Sequence, residues 1–199
     1  AVDMRFFPDG GVLGQLHAGV LTRLTIGLSF GGERLIGSGS VDWQPRIEPT
    51  VRYRIIEENQ ALPALVLGYD SQGRGPHTGR RYQVKSKGFF AALSKNYLSP
   101  LGQFGIHTGI NRSREDGDDD LSGWIGVDKS VNKELWLSAE YDLGRNDGGL
   151  GQGDGYLNWG AHWSPAPGLT LDALLKDALG NGPAAKPSRE LGVRYTEAF

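Results

Sequence analysis

Leu191-Gly192-Val193-Arg194-Tyr195-Thr196-Glu197-Ala198-Phe199, the end of the sequence, alternates by parity. Leu191, Val193 and Tyr195 fall on one side and Gly192, Arg194 and Thr196 on the other, with Glu197 alone out of step. Successive side chains of an extended chain point to opposite faces, so this reads as a strand with one apolar face and one face carrying charge. One such strand decides nothing. Its weight depends on whether the same alternation recurs along the chain.

It recurs throughout. Leu24, Ile26, Leu28 and Phe30 oppose Thr25, Gly27 and Ser29; Val51, Tyr53 and Ile55 oppose Arg52, Arg54 and Ile56; Leu65, Leu67 and Tyr69 oppose Gly68 and Asp70. Phe89, Ala91 and Leu93 oppose Phe90, Ser94 and Asn96, and Phe104, Ile106 and Ile110 oppose Gly105, His107 and Asn111. Ile125 and Val127 oppose Asp128, while Leu135, Leu137, Ala139 and Tyr141 oppose Ser138, Glu140 and Asp142. Leu157, Trp159, Ala161 and Trp163 oppose Asn158 and His162, and Leu169, Leu171, Ala173 and Leu175 oppose Thr170, Asp172 and Lys176. The best helical candidate, Leu169 to Leu179, is preceded by Pro165-Ala166-Pro167-Gly168 and shares the period of two, so it too is predicted to be a strand.

The connections alternate as regularly as the strands. Short ones are predicted near 21–23, 58–61, 98–101, 130–133 and 165–168, and long, glycine-rich or charged ones near 31–40, 71–80, 112–120, 144–155 and 180–188. Short turns at one end and long loops at the other describe a meander that closes on itself. Ten strands run from Leu24 to Phe199, and Val12 to Val20 makes an eleventh. Single-chain barrels of this kind usually have an even number of strands. Val2 to Phe7, turning at Pro8-Gly11, supplies a twelfth, and the alternative is ten.

An aromatic last residue, Phe199, preceded by alternating apolar residues resembles the terminal strand of bacterial outer-membrane β-barrels, which the barrel assembly machinery reads. The resemblance implies an all-β fold: a single antiparallel transmembrane β-barrel of about twelve strands over residues 1–199, with short periplasmic turns and long extracellular loops. It also implies contact with outer-membrane lipid and lipopolysaccharide. Arg52-Tyr53-Arg54-Ile55-Ile56-Glu57-Glu58 and Pro63-Ala64-Leu65-Val66-Leu67-Gly68 resemble segments of the outer-membrane barrels linked to exopolysaccharide biosynthesis and their uncharacterised relatives. That second resemblance implies a place in the envelope, with a protein partner in an export complex as one role, and brings no catalytic residue with it.

Composition agrees and excludes other classes. Of 199 residues 31 are glycine and 38% are hydrophobic, and no apolar run approaches the ~18 residues of a membrane-spanning helix. A barrel tolerates such low hydropathy because half of every strand faces a polar lumen. The net charge of −2, without a Lys/Arg cluster, argues against a nucleic-acid partner. Cysteine is absent, which removes disulfides and thiolate metal sites. The opening Ala1-Val2-Asp3 lacks a charged and an apolar leader region, as expected of a trimmed N-terminus.

The same strands could instead form a soluble β-sandwich or a lipocalin-like barrel with the apolar face inward. Charges of both signs at mid-strand favour the membrane barrel. The residues expected to line the lumen are Arg52, Arg54, Glu58, His107, Asp128, Glu140, Asp142, His162, Asp172, Lys176 and Arg194. Aromatic residues gather near strand ends, Tyr97, Phe104, Trp163 and Phe199 toward the short turns and Phe30, Tyr69, Phe89 and Tyr141 toward the long loops, as two interfacial girdles require. Inward glycines at 27, 68, 105 and 192 leave room or permit curvature.

Catalytic chemistry has little support. His162-Trp163-Ser164 invites comparison with lipid hydrolases, but both polar side chains take the lumenal parity, away from lipid. His107 and Thr108 point to opposite faces, and four histidines without a repeated spacing make a poor metal site. Asp116, Asp118, Asp119 and Asp120 lack the spacing of a calcium loop and are expected to be a solvated loop, with cation bridging to lipopolysaccharide phosphates as a lesser option. The glycine-rich 144–155 is either a surface loop or a flap over the mouth. No cofactor is implied. The function expected is a narrow passive channel for small hydrophilic solutes, ahead of a structural component of an envelope complex and, remotely, a lipid-modifying enzyme.

Overall fold

A computed structural model describes residues 1–100, 102–117, 120–147, 155–182 and 184–197. Fifteen strands are present and, among the described residues, no helix: β1 (Val2–Phe7), β2 (Gly11–Leu21), β3 (Leu24–Glu33), β4 (Asp42–Trp43), β5 (Glu48–Ile56), β6 (Ala64–Asp70), β7 (Arg74–Thr78), β8 (Arg81–Val84), β9 (Gly88–Ser99), β10 (Gly102–Arg112), β11 (Leu121–Ser130), β12 (Leu135–Asp142), β13 (Tyr156–Ala166), β14 (Leu169–Lys176) and β15 (Ser188–Tyr195). Twelve of them form the wall. Each pairs antiparallel with its neighbour in the order β1-β2-β3-β5-β6-β9-β10-β11-β12-β13-β14-β15, and β15 returns to β1, so no edge is left open. Val2–Phe7 is thus the twelfth strand that the even-number argument required, pairing Met4 with Val193 on one side and with Gly14 on the other.

The turn that admits β1 is built from Asp9 and Gly10, both with positive φ (60° and 67°), the backbone of a tight hairpin turn that favours Asp-Gly. A side chain on Gly10 would also strike the Ile36 carbonyl oxygen. At the opposite end two turns use one device. The side-chain oxygen of Asn59 accepts the amides of Ala61 and Leu62 at 2.9 Å each, and that of Asn132 accepts those of Glu134 and Leu135 at 2.8 Å each.

The burial pattern is that of a soluble protein reversed. Ile110, Leu191 and Ile125 are 59%, 61% and 55% exposed, whereas Glu48, Asn111, Ser122, Asn158, Asp172 and Glu190 are buried. An apolar exterior continuous over twelve strands has no favourable solvent except acyl chains, and inward polar groups such as Asn158 and Asp172 find partners on the neighbouring strands. Ring pairs sit at both ends: Tyr97 stacks on Phe104 at 5.0 Å, Tyr69 meets Phe89 at 4.9 Å, and Phe30 stacks on Trp43 at 5.6 Å. Trp163 Nε1 donates to Glu134 Oε2 at 3.3 Å beside a short turn, and Tyr141 is the penultimate residue of β12. Phe199, like Asp118 and Asp119, lies outside the described residues.

The stretch 71–80, read from sequence as a plain long loop, is different in the structure. The connection from β6 to β9 runs from 71 to 87 and folds as the hairpin β7–β8, with His77 opposite Tyr82 and Thr78 opposite Arg81.

Candidate functional site: the barrel lumen

Inward-facing residues of neighbouring strands meet as short polar rows. On β12, β13 and β14, His162 Nδ1 is 2.7 Å from Asp172 Oδ1 and its Nε2 is 2.9 Å from Ser138 Oγ. A carboxylate only accepts, so Nδ1 carries the proton and Nε2 accepts from the serine hydroxyl. On β9, β10 and β11 the same residue types repeat with the ring reversed: His107 Nε2 bonds Asp128, and Nδ1 lies 2.9 Å from Ser94 Oγ. The two rows therefore fix opposite tautomers.

The glycines beneath these rows explain how they fit. A Cβ on Gly105 would sit 2.5 Å from Asp128 Oδ2 and 2.7 Å from His107 Nε2. Gly160 does the same for the other row, 2.5 Å from Ser138 Oγ and 2.7 Å from His162 Nε2. Gly27 leaves space for His17, Gly68 for Phe90 and Gly192 for Asp172. Lumenal glycine here is the slot into which the neighbouring strand's side chain turns.

The remaining lumen charges pair around the wall. Arg194 bonds Asp3, and His17 Nε2 stands 4.0 Å from the same carboxylate. Arg5 Nε lies 3.8 Å from Glu190 Oε2, and Arg52 lies 3.9 Å from Asp70. Glu140 accepts from Asn158 Nδ2 at 3.3 Å, and Asp142 accepts the Gly144 amide at 3.0 Å. Arg54 takes the lumenal parity on β5. Glu58 lies beyond β5 at the rim, where it accepts the Asn96 backbone and side-chain amides, both at 2.7 Å; these bonds hold its carboxyl below the usual glutamate range.

Sequence reasoning placed Ser94 and Ser138 on the polar face without giving them a role, and did not single out Asp3, Arg5, His17, Lys87 or Glu190. Asp3 and Arg5 carried a readable signal, since they alternate with Val2, Met4 and Phe6. Arg74 carried none, embedded in Gly73-Arg74-Gly75-Pro76.

The β7–β8 hairpin is docked inside the extracellular half. Tyr82 is fully buried; its hydroxyl donates to Glu48 Oε1 at 3.0 Å, and burial together with that carboxylate pushes the phenol's pKa up. Glu115 accepts the Tyr82 amide at 2.8 Å and the Ser86 amide at 2.9 Å. Arg81 donates to Asp116 at 3.2 Å and to Asp147, which also accepts the Tyr156 hydroxyl. Lys85 reaches Asp116 at 2.7 Å. Asp116 is thus engaged by two cations rather than solvated, and of 144–155 the described part, through Asp147, turns inward to the hairpin. Lys87 Nζ lies 4.1 Å from the Trp124 ring centre, and burial lowers its ammonium pKa. Among the described residues no group of three or more His, Asp or Glu side chains could hold a metal ion.

Two cavities occupy the lumen. One, of about 470 Å³, lies among His107, Asp128, Trp136, His162, Asp172 and Arg194. The other, of about 440 Å³, lies between the hairpin, through Gly73 to Pro76, the wall at Phe7, Tyr156 and Glu190, and Lys186 of the loop before β15. Arg5, Asn158 and Lys176 line both, so the two abut at these side chains.

A closed twelve-stranded antiparallel barrel with an apolar exterior and a charged, cavity-bearing interior is a transmembrane β-barrel of the outer-membrane porin type. Solved structures share this fold. The chain is similar to the KdgM porin (TM-score 0.64, 7% identity, 99% of each chain covered) and to the KdgM porin in complex with disordered oligogalacturonate (0.64, 8%, 99% of each). It is also similar to the NanC porin (TM-score 0.54, 10% identity, 99% of this chain and 100% of that one). No family model and no curated protein matches the sequence.

Proposed function

We propose that the protein is a narrow passive channel for small hydrophilic solutes in the bacterial outer membrane. The observation that carries this reading is the pair of charge-lined cavities meeting at Arg5, Asn158 and Lys176 along the barrel interior. A barrel of this size is wider than the eight-stranded kind that side chains fill, and narrower than the 16-stranded porins. Lumen charges of both signs lower the cost of desolvating either ion and commit the passage to neither. One similar structure holds an oligogalacturonate, which makes that oligosaccharide the first large solute to try.

An enzymatic role is disfavoured by the same geometry. Ser138, His162 and Asp172 have the order of a hydrolytic triad, but the backbone amides around Ser138 belong to the paired strands and leave no oxyanion donor beside it. Ser164 bonds Thr170, not His162.

The outward apolar band is proposed to contact lipid and lipopolysaccharide, and Phe199 to be read by the barrel assembly machinery. Reconstitution into planar bilayers tests the channel: discrete, salt-dependent conductance steps are expected, and silence at high protein load overturns it. A stoichiometric protein partner recovered on native purification, together with that silence, would favour the envelope-complex role.

A further inference from the structure

Each of the two lumen cavities has an aromatic residue on its wall. In the upper one it is Phe7, the last residue of β1, which shares the inward parity of Asp3 and Arg5. Its ring lies over Gly11, the residue opposite it on β2, where a Cβ would strike three of its ring atoms. Backbone thus covers the ring on one side, and Phe7 lines the cavity beside Pro8, Pro76 and Pro187. In the lower cavity the aromatic is Trp136, set inward between Leu135 and Leu137 and opposite His162 on β13. A wall that turns its apolar side chains to lipid gains nothing from an aromatic ring facing water, unless something else covers that ring.

The charges around the two rings favour an uncharged solute. Among the described residues five Arg and Lys side chains line the cavities against seven Asp and Glu. Several of them are committed to the protein: Asp128 to His107, Asp172 to His162, Asp177 to the amides of Asn181 and Gly182, and Arg194 to Asp3. A solute carrying carboxylates enters against an excess of its own charge, and one carrying cations competes with pairs already made. A hydroxyl avoids both costs, because it donates to a carboxylate as readily as it accepts from an ammonium or guanidinium group.

We infer that the two cavities are consecutive subsites for an uncharged oligosaccharide, with Phe7 and Trp136 as the platforms on which its sugar rings lie. This rests on the channel reading and narrows its solute. A sugar ring has apolar C–H faces and a polar edge, and a small-molecule site meets such a shape with an aromatic surface and a few placed polar groups. Arg5, Asn158 and Lys176, which border both cavities, supply the polar groups between the two platforms. The solute differs from an oligogalacturonate, which carries a carboxylate on every sugar.

The test is interruption of single-channel current by maltotriose and cellotriose, both uncharged, and by trigalacturonate. The uncharged trisaccharides should interrupt the wild-type current with saturating concentration dependence, and trigalacturonate should do so more weakly. Trp136→Leu and Phe7→Leu keep an apolar side chain but lose the ring, and each should weaken the block about fivefold, while Trp136→Phe and Phe7→Tyr keep most of it. Heat-modifiable gel migration shows that each variant still closes a barrel. Current that neither uncharged trisaccharide interrupts, tighter block by trigalacturonate, or equal block in wild type and both leucine variants overturns the inference and leaves the channel reading intact. A silent wild type overturns the channel reading, and equilibrium dialysis of maltotriose against the detergent-solubilised barrel then decides the subsites: binding weakened by Trp136→Leu supports them, and no binding overturns them.

Discussion

The barrel wall and the β7–β8 hairpin are both β-structure, yet they are stabilised by opposite means. In the wall, apolar residues such as Leu28 and Ile125 face outward and polar ones inward, and each strand is hydrogen-bonded to a neighbour on both sides. The hairpin has five- and four-residue strands, too short to pack a face of their own, and is held by Glu48, Glu115, Asp116 and Asp147 from elsewhere. The wall is a repeated local rule; the hairpin is one specific set of distant partners. Substitutions in the two should therefore fail differently.

The largest effect belongs to the wall's outer face. Ile125→Lys should destabilise the folded barrel by about 3 kcal/mol, while Ser138→Lys, facing the lumen on the next strand, should cost under about 1 kcal/mol. Urea titrations of refolded protein in lipid vesicles compare the two; equal costs would mean the outer face does not contact acyl chains.

Next is the hairpin's anchor. Glu115→Ala leaves the buried amides of Tyr82 and Ser86 without an acceptor, at a cost of about 2 kcal/mol. Because this loss is confined to the hairpin, limited proteolysis should cut within 74–84 while heat-modifiable migration stays as in the wild type. Loss of the whole barrel instead would show that wall and hairpin fold as one unit.

A smaller effect is expected where glycine makes room. Gly160→Ala places a methyl against Ser138 and His162, both of which end in movable side chains, so about 1 kcal/mol is lost as the row parts. The melting temperature should fall modestly, and removing the contact with Ser138→Ala in the same chain should recover most of it.

The smallest effect is at the rim. Glu58 is held as a carboxylate by two Asn96 amides, so its folded pKa lies below the unfolded value. Its stabilisation is present above the unfolded glutamate pKa and is lost as pH falls through the folded one. The difference in stability between wild type and Glu58→Gln should shrink across that acidic window and be flat above it; a difference that grows on acidification contradicts the assignment.

The two regions also differ in how far the sequence discloses them. Leu135 to Asp142 states its own face, strand length and orientation, because in a wall strand each residue's environment follows from its parity. That reasoning extended to Val2–Phe7, where Asp3 and Arg5 alternate with apolar neighbours. It reached many of the inward residues, though not Asp3, Arg5, His17 or Glu190, and it did not reach their pairing: Arg194 meets Asp3, at the far end of the chain, and His162 meets Asp172 and Ser138. Which inward residues touch depends on the register of neighbouring strands and on which glycine leaves a slot.

For the hairpin even the faces were hidden. Tyr82 takes its partners 33 and 34 residues away, and Arg81 reaches Asp147 at 66. Nothing in 71–87 marks the stretch as anything but a polar loop. The sequence by itself determined a closed membrane barrel, because a lipid exterior and a wet interior impose a period of two on every wall strand. Only the tertiary structure decided what occupies the interior, because those contacts join loops whose meeting place exists once the wall has closed around them.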